Sequence, residues 1–132
     1  MEYQKYNAIG NPVDAWWNTI RPEIDICIDL LGQFPPARNS STALELLPAV
    51  RHAHDYIKNA YFPNQAAKIR DYLLESLYEL AQSVKQQAAH GLMAPDSSHN
   101  IAYHNFMMVS HLLLERGIYE PEPGKQNKSR VS

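Results

Sequence analysis

Arg51 and Lys58 stand seven residues apart, and Lys68 and Arg70 follow soon after them. Seven residues is close to two helical turns, so Arg51 and Lys58 share one face if this stretch is helical. Cations in such a set suit nucleic acid, because each Lys or Arg neutralises a backbone phosphate and releases its counterion. His52 lies beside Arg51, and Lys125, Lys128 and Arg130 add charge near the end of the chain. Asp55, Asp71 and Glu75 dilute the positive field. Arg51, Lys58, Lys68 and Arg70 are therefore the candidate phosphate contacts.

Six histidines raise a metal alternative. His104 and His111 share a helix face at a spacing of seven, with Glu115 one turn further on. His52 and His54 could approach them from the second helix, as ligands do inside bundles. The tight spacings of His-x-x-x-His, Glu-x-x-His and His-Glu-x-x-His are missing, so the expectation is that no metal is held. His54 then reads as a hydrogen-bonded core or interface histidine, and the others as surface.

Asp71, Glu75 and Glu79 recur every four residues, which makes a cation-binding stripe, an acid/base pair or, more simply, a solvated helix edge. Cys27 lies between Ile26 and Ile28 on an apolar stripe, where a free thiol behaves as a small hydrophobe rather than a nucleophile. There is no Gly-rich phosphate loop, no Gly-x-Ser-x-Gly and no Cys-x-x-Cys. These absences lead to the expectation of a non-enzymatic protein without a cofactor.

With 132 residues the chain is one domain in length, long enough to bury a core without a metal or disulfide staple. Hydrophobic residues at 45% and charged residues at 20% are those of a globular domain. Its single cysteine excludes an intrachain disulfide and points to a reducing, cytoplasmic compartment. No apolar run reaches the roughly 18 residues of a membrane span, and the opening Met1-Glu2-Tyr3-Gln4-Lys5 lacks a signal peptide's apolar core. A net charge of −2 argues against a strongly basic clamp and leaves room for a local patch.

Four helices would position these residues, at about 12–31, 43–61, 65–90 and 100–116. In the first, Asn11 is a plausible cap and Pro12 suits the first helical position. Val13, Trp17, Ile20, Ile24, Cys27 and Leu31 form an apolar stripe that keeps its phase through Pro22, so a kink is expected there. Gly32 is a natural stop. Thr42 and Glu45 make a capping box for the second helix, whose stripe is Ala43, Leu47, Val50, His54, Ile57 and Tyr61. Pro48 predicts a kink or late start there; Pro63 ends that helix and Asn64 caps the next.

The third helix carries Ile69, Leu73, Leu77, Leu80 and Val84, widened by Leu74, Tyr78, Ala81 and Ala88. So wide an apolar face implies a central place in the fold or a contact with another subunit. The fourth carries Ala102, Phe106, Val109 and Leu113, and Gly117 stops it. The fold class is thus all-α, an antiparallel up-down four-helix bundle over residues 1–117, with a disordered polar tail over 118–132.

Several segments together resemble a known family. They are Leu31-Gly32-Gln33-Phe34-Pro35 closing a tryptophan-bearing helix, the Ala53 to Ala60 segment, the Ile69 to Leu80 helix, and the turn from Gly91 to Met93. Their order is similar to the four helix bundle protein family. That family takes in small proteins encoded in ribosomal RNA intervening sequences and Avd, the accessory variability determinant of diversity-generating retroelements. Leu73, Glu75-Ser76-Leu77 and Glu79-Leu80 echo the family's third helix, with Glu75 where glycine is usual, and Ile57 alone survives of the family's second-helix motif. The resemblance spans about Val13 to Arg116. It implies a ring-shaped homopentamer that binds a reverse transcriptase and its RNA and performs no chemistry itself. A protein–protein adaptor without nucleic acid, and a metal-dependent enzyme built on His54, His104 and His111, stand as the alternatives.

Overall fold

A computed structural model describes residues 11–91 and 97–124, and every regular element among them is helical. The first helix begins as expected. Asn11 Oδ1 accepts the Asp14 N–H at 3.2 Å and Pro12 occupies the first turn. It runs as α1 (Pro12–Ile20), tightens to a 3₁₀ segment over Arg21–Ile24, and resumes as α2 (Asp25–Leu31). Pro22 causes the change, because its ring lacks the N–H that an α-ladder needs. The stripe of Val13, Trp17, Ile20, Ile24, Cys27 and Leu31 stays buried throughout.

Helix α3 (Ser40–Asn59) starts ahead of the expected capping box. Asn39, in extended backbone, is the cap, and its side chain accepts the Thr42 N–H at 2.8 Å. Thr42 thus serves as a first-turn donor, and Asn satisfies that donor as well as Thr would one turn later. Pro48 sits inside the helix without ending it. At the other end the chain turns extended at Ala60, so Tyr61 falls outside the helix and stands exposed instead of joining the stripe. Within the helix, Ala53 rather than the half-buried His54 holds the buried place between Val50 and Ile57.

A 3₁₀ turn at Asn64–Ala66 leads into α4 (Ala67–His90), so Asn64 lies within that turn and does not cap. Gly91, at φ +82°, ends α4 in the left-handed region that glycine enters without strain. Helix α5 (Ser97–Leu114) follows, beginning and ending slightly earlier than expected.

Helix α4 is central, packing on α3 along one side and α5 along the other. It runs antiparallel to both. Ser76 on α4 donates to the Ala102 carbonyl at 2.7 Å, while Arg116, beyond the far end of α5, reaches back to the Gln65 carbonyl. On the opposite side, Arg70 near the start of α4 meets Lys58 near the end of α3, and Gly91 lies beside Ser40. The core joins Ile69, Leu73, Leu77, Leu80 and Val84 of α4 to Phe106, Val109 and Leu113 of α5 and to the α1–α2 stripe. Of the widening residues, Ala81 is buried, Leu74 and Ala88 are half-buried, and Tyr78 is exposed.

The expectation of a disordered tail from 118 onward fails for residues 118–124. Ile118, Glu120 and Pro123 are buried. Glu120 accepts hydrogen bonds from Trp17 Nε1 at 3.1 Å and from Arg21 Nε and Nη2 at 3.0 Å each. These bonds hold the tail against the bend between α1 and α2. Gly32 caps the end of α2 as expected, but at an ordinary φ of −82°, so the stop does not itself require glycine. A Cβ there would stand 2.9 Å from the Pro123 carbonyl carbon, and it is the tail that demands glycine. Lys125, Lys128, Arg130, most of the Gly91 to Met93 turn and the rest of the tail lie outside the described residues.

Candidate nucleic-acid interface

Arg51 and Lys58 are both exposed on α3, two turns apart on one face. Neither is ion-paired among the described residues. Arg70 comes from α4 to the end of α3. Its Nη2 donates to the Lys58 carbonyl at 2.8 Å, and its guanidinium lies 4.3 Å over the Phe62 ring centroid. Arg70 therefore ties the end of α3 to the start of α4, a structural task that the sequence did not reveal. Lys68 is exposed, but two residues along a helix rotate a side chain by about 200°, so it points away from Arg70. Arg51 and Lys58 thus share one face of α3, Arg70 is engaged with the Lys58 main chain and Phe62, and Lys68 is turned away from Arg70.

Beside Arg51 a cleft of about 250 Å³ opens between α3 and α4. Arg51, His54 and Asp55 form its α3 wall, and Tyr78, Ala81 and Gln82 form its α4 wall. His54 is half-buried, with Nδ1 3.3 Å from Asp55 Oδ1. His54 therefore lies at the edge of the packing between α3 and α4, beside its chain neighbour Asp55, and not in the core. A shallower recess continues along α3 past His52, Tyr56 and Asn59.

The histidines of the metal alternative do not converge. His104 and His111 are exposed on α5, His111 Nε2 lies 3.1 Å from Glu115 Oε2, and α4 stands between them and His54 on α3. No three His, Cys, Asp or Glu side chains among the described residues are grouped to hold an ion. Asp71 and Glu75 are exposed and Glu79 half-buried along one edge of α4. Cys27 is fully buried, and burial pushes its thiol pKa up to about 12. A thiol so held is not a nucleophile at neutral pH.

Two polar arrangements escaped the sequence reading. One is the Glu120 pair with Trp17 and Arg21. Trp17 offered a signal, since a tryptophan on a buried stripe needs an acceptor for its N–H. The other is Gln87, fully buried, which donates to the Ala37 carbonyl at 2.7 Å and accepts the Ala37 N–H at 3.0 Å. It satisfies a backbone segment that the two prolines before it keep out of any helix.

No protein-family model, curated protein or solved structure matches this chain. No helix among the described residues is long and apolar enough to cross a membrane.

Proposed function

We propose that this chain is a non-enzymatic accessory subunit that holds RNA within a nucleoprotein complex, most concretely one containing a reverse transcriptase. In this account its helices form an up-down four-helix bundle, and several copies assemble into a homo-oligomer, a pentameric ring by the family resemblance. The observation that carries the binding role is the pair of exposed cations Arg51 and Lys58 on one face of α3, without an ion-pair partner among the described residues and beside a cleft with an aromatic wall. Arg70 supports that face from behind, and Lys68 makes at most a separate contact. Self-association draws support from Ile101, Met108 and Leu114, large apolar side chains that α5 leaves exposed.

The test is binding of a fluorescein-labelled single-stranded RNA, followed by anisotropy at two salt concentrations. Two phosphate contacts at a slope of about 0.7 each weaken binding roughly sevenfold per chain between 50 and 200 mM salt. Arg51→Glu with Lys58→Glu abolishes binding and leaves helicity and solution mass unchanged. Unaltered affinity in that double variant removes the assignment. Binding of protein partners with no RNA affinity at all would replace it with the adaptor reading.

A further inference from the structure

We infer that Tyr78 is a base-stacking platform, and that the cleft between α3 and α4 receives one unpaired nucleobase of a strand whose phosphates lie on Arg51 and Lys58. This rests on the proposed RNA-binding role and specifies what form of nucleic acid the site takes. Tyr78 sits in the middle of α4 with 51% of its surface exposed. No other ring stacks on it and nothing hydrogen-bonds to it among the described residues. On α4 it stands among Asp71, Glu75, Gln82 and Lys85, with half-buried Leu74 on its core side, and among the described residues no second ring shares this outward face of α4. Tyrosine and arginine together at a concave, solvent-facing position are the residue types that carry binding energy at recognition surfaces.

The chemistry of the walls selects a base over a phosphate. Inside the cleft the Asp55 carboxylate offsets the Arg51 guanidinium, so the walls carry no net pull on an anion, whereas outside it exposed Arg51 and Lys58, two turns apart along α3, attract one. An uncharged base enters, and the backbone stays outside on the cations. Gln82 places an amide, both donor and acceptor, where a base edge would lie. Ala81, small and buried, leaves the space beside the ring open. The volume of about 250 Å³ is below the range of pockets that enclose whole drug-sized ligands, which suits a single base. A duplex keeps its bases stacked inside the helix and offers no face to Tyr78, so the site discriminates for single strands.

The experiment compares a labelled single-stranded RNA 12-mer with a blunt RNA duplex of equal length on the full chain, using wild type, Tyr78→Ala, Tyr78→Phe and Arg51→Glu/Lys58→Glu. Loss of one stacked base weakens single-strand binding by roughly tenfold or more in Tyr78→Ala. Tyr78→Phe keeps the ring and binds as wild type. Duplex affinity is the same in all Tyr78 variants, and the salt slope of Tyr78→Ala equals that of wild type, because stacking releases no counterions. If Tyr78→Ala keeps full single-strand affinity while Arg51→Glu/Lys58→Glu loses it, the stacking role is wrong and the RNA-binding role stands. Equal loss on single strand and duplex, with helicity unchanged, also overturns the stacking role. If wild type binds neither RNA, both fall.

Discussion

Glu120 and Arg21, 99 residues apart in the chain, meet in a two-pronged pair: Oε1 is 3.0 Å from Nε and Oε2 is 3.0 Å from Nη2. Arg21 also pairs with Asp25 one turn along, and Trp17 Nε1 donates to the same Glu120 oxygen that Arg21 Nε reaches. Burial by itself would lower the Arg21 pKa, but the hydrogen bond and charge of Glu120, with Asp25 behind them, hold it above its ordinary value. The carboxylate is thus the point at which the end of the described chain is fastened to the bend in its first helix.

Replacing Glu120 with Ala leaves a half-buried guanidinium and a buried indole N–H without this acceptor. The expected cost is about 2–4 kcal/mol of folding stability, measured by urea unfolding. Glu120→Gln retains an acceptor for Trp17 and falls between the two. A cycle with Arg21→Ala gives a coupling energy of at least about 0.5 kcal/mol. Strict additivity would show that the pair does not act as one unit.

Gly32→Ala probes the same docking from the other side. The backbone at φ −82° accepts alanine, so any loss comes from contact with the tail, whose Pro123 carbonyl carbon would be 2.9 Å from the new methyl group. A loss of about 1–3 kcal/mol is expected, as for other overpacked sites. Faster amide exchange over residues 118–124 accompanies it. A change in exchange confined to α3 or α4 would contradict this account.

The apolar periodicity made much of this architecture legible. The stripes of α1–α2, α4 and α5 are the buried faces, and Pro22, Gly91 and Gly117 act where their chemistry places them. Errors arose where a local rule had two eligible residues. Asn39 took the capping role assigned to Thr42, and Ala53 took the buried place assigned to His54. The tail was illegible for a different reason. Its order depends on a carboxylate meeting groups about 100 residues earlier, and no local pattern in a Pro- and Glu-rich segment signals that. The candidate site was legible in part. Spacing put Arg51 and Lys58 on one face, but the capture of Arg70 by the Lys58 carbonyl and Phe62 depends on how α3 and α4 pack.

Gln87→Leu removes both partners of the Ala37 backbone amide and orphans a buried N–H and a buried C=O. Two such groups cost about 2–4 kcal/mol. Gln87→Glu is also destabilising, since it replaces the donor to the Ala37 carbonyl with an oxygen. Denaturant titration checks both, and RNA affinity of the folded fraction stays at the wild-type value. A stable Gln87→Leu variant would mean that the connection after α2 finds other partners.

Cys27 gives a prediction in pH. Burial raises its pKa in the folded state to about 12. Below the ordinary thiol pKa both folded and unfolded chains keep the proton, and the stabilisation is complete. Above that value the unfolded thiol ionises first, so this contribution falls as pH rises and is gone once pH passes the folded value. A thiol reagent at pH 8 therefore labels Cys27 only after denaturant is added. Rapid labelling of native protein would show that the stripe opens at that point.

The most direct test of the central claim, an oligomeric RNA-binding subunit, is solution mass by light scattering on the purified full chain with and without single-stranded RNA, at low and high salt. The account predicts a salt-resistant multiple of the 15.1 kDa chain mass that gains RNA at low salt and releases it at high salt. A monomer whose mass is unchanged by RNA at either salt would contradict it.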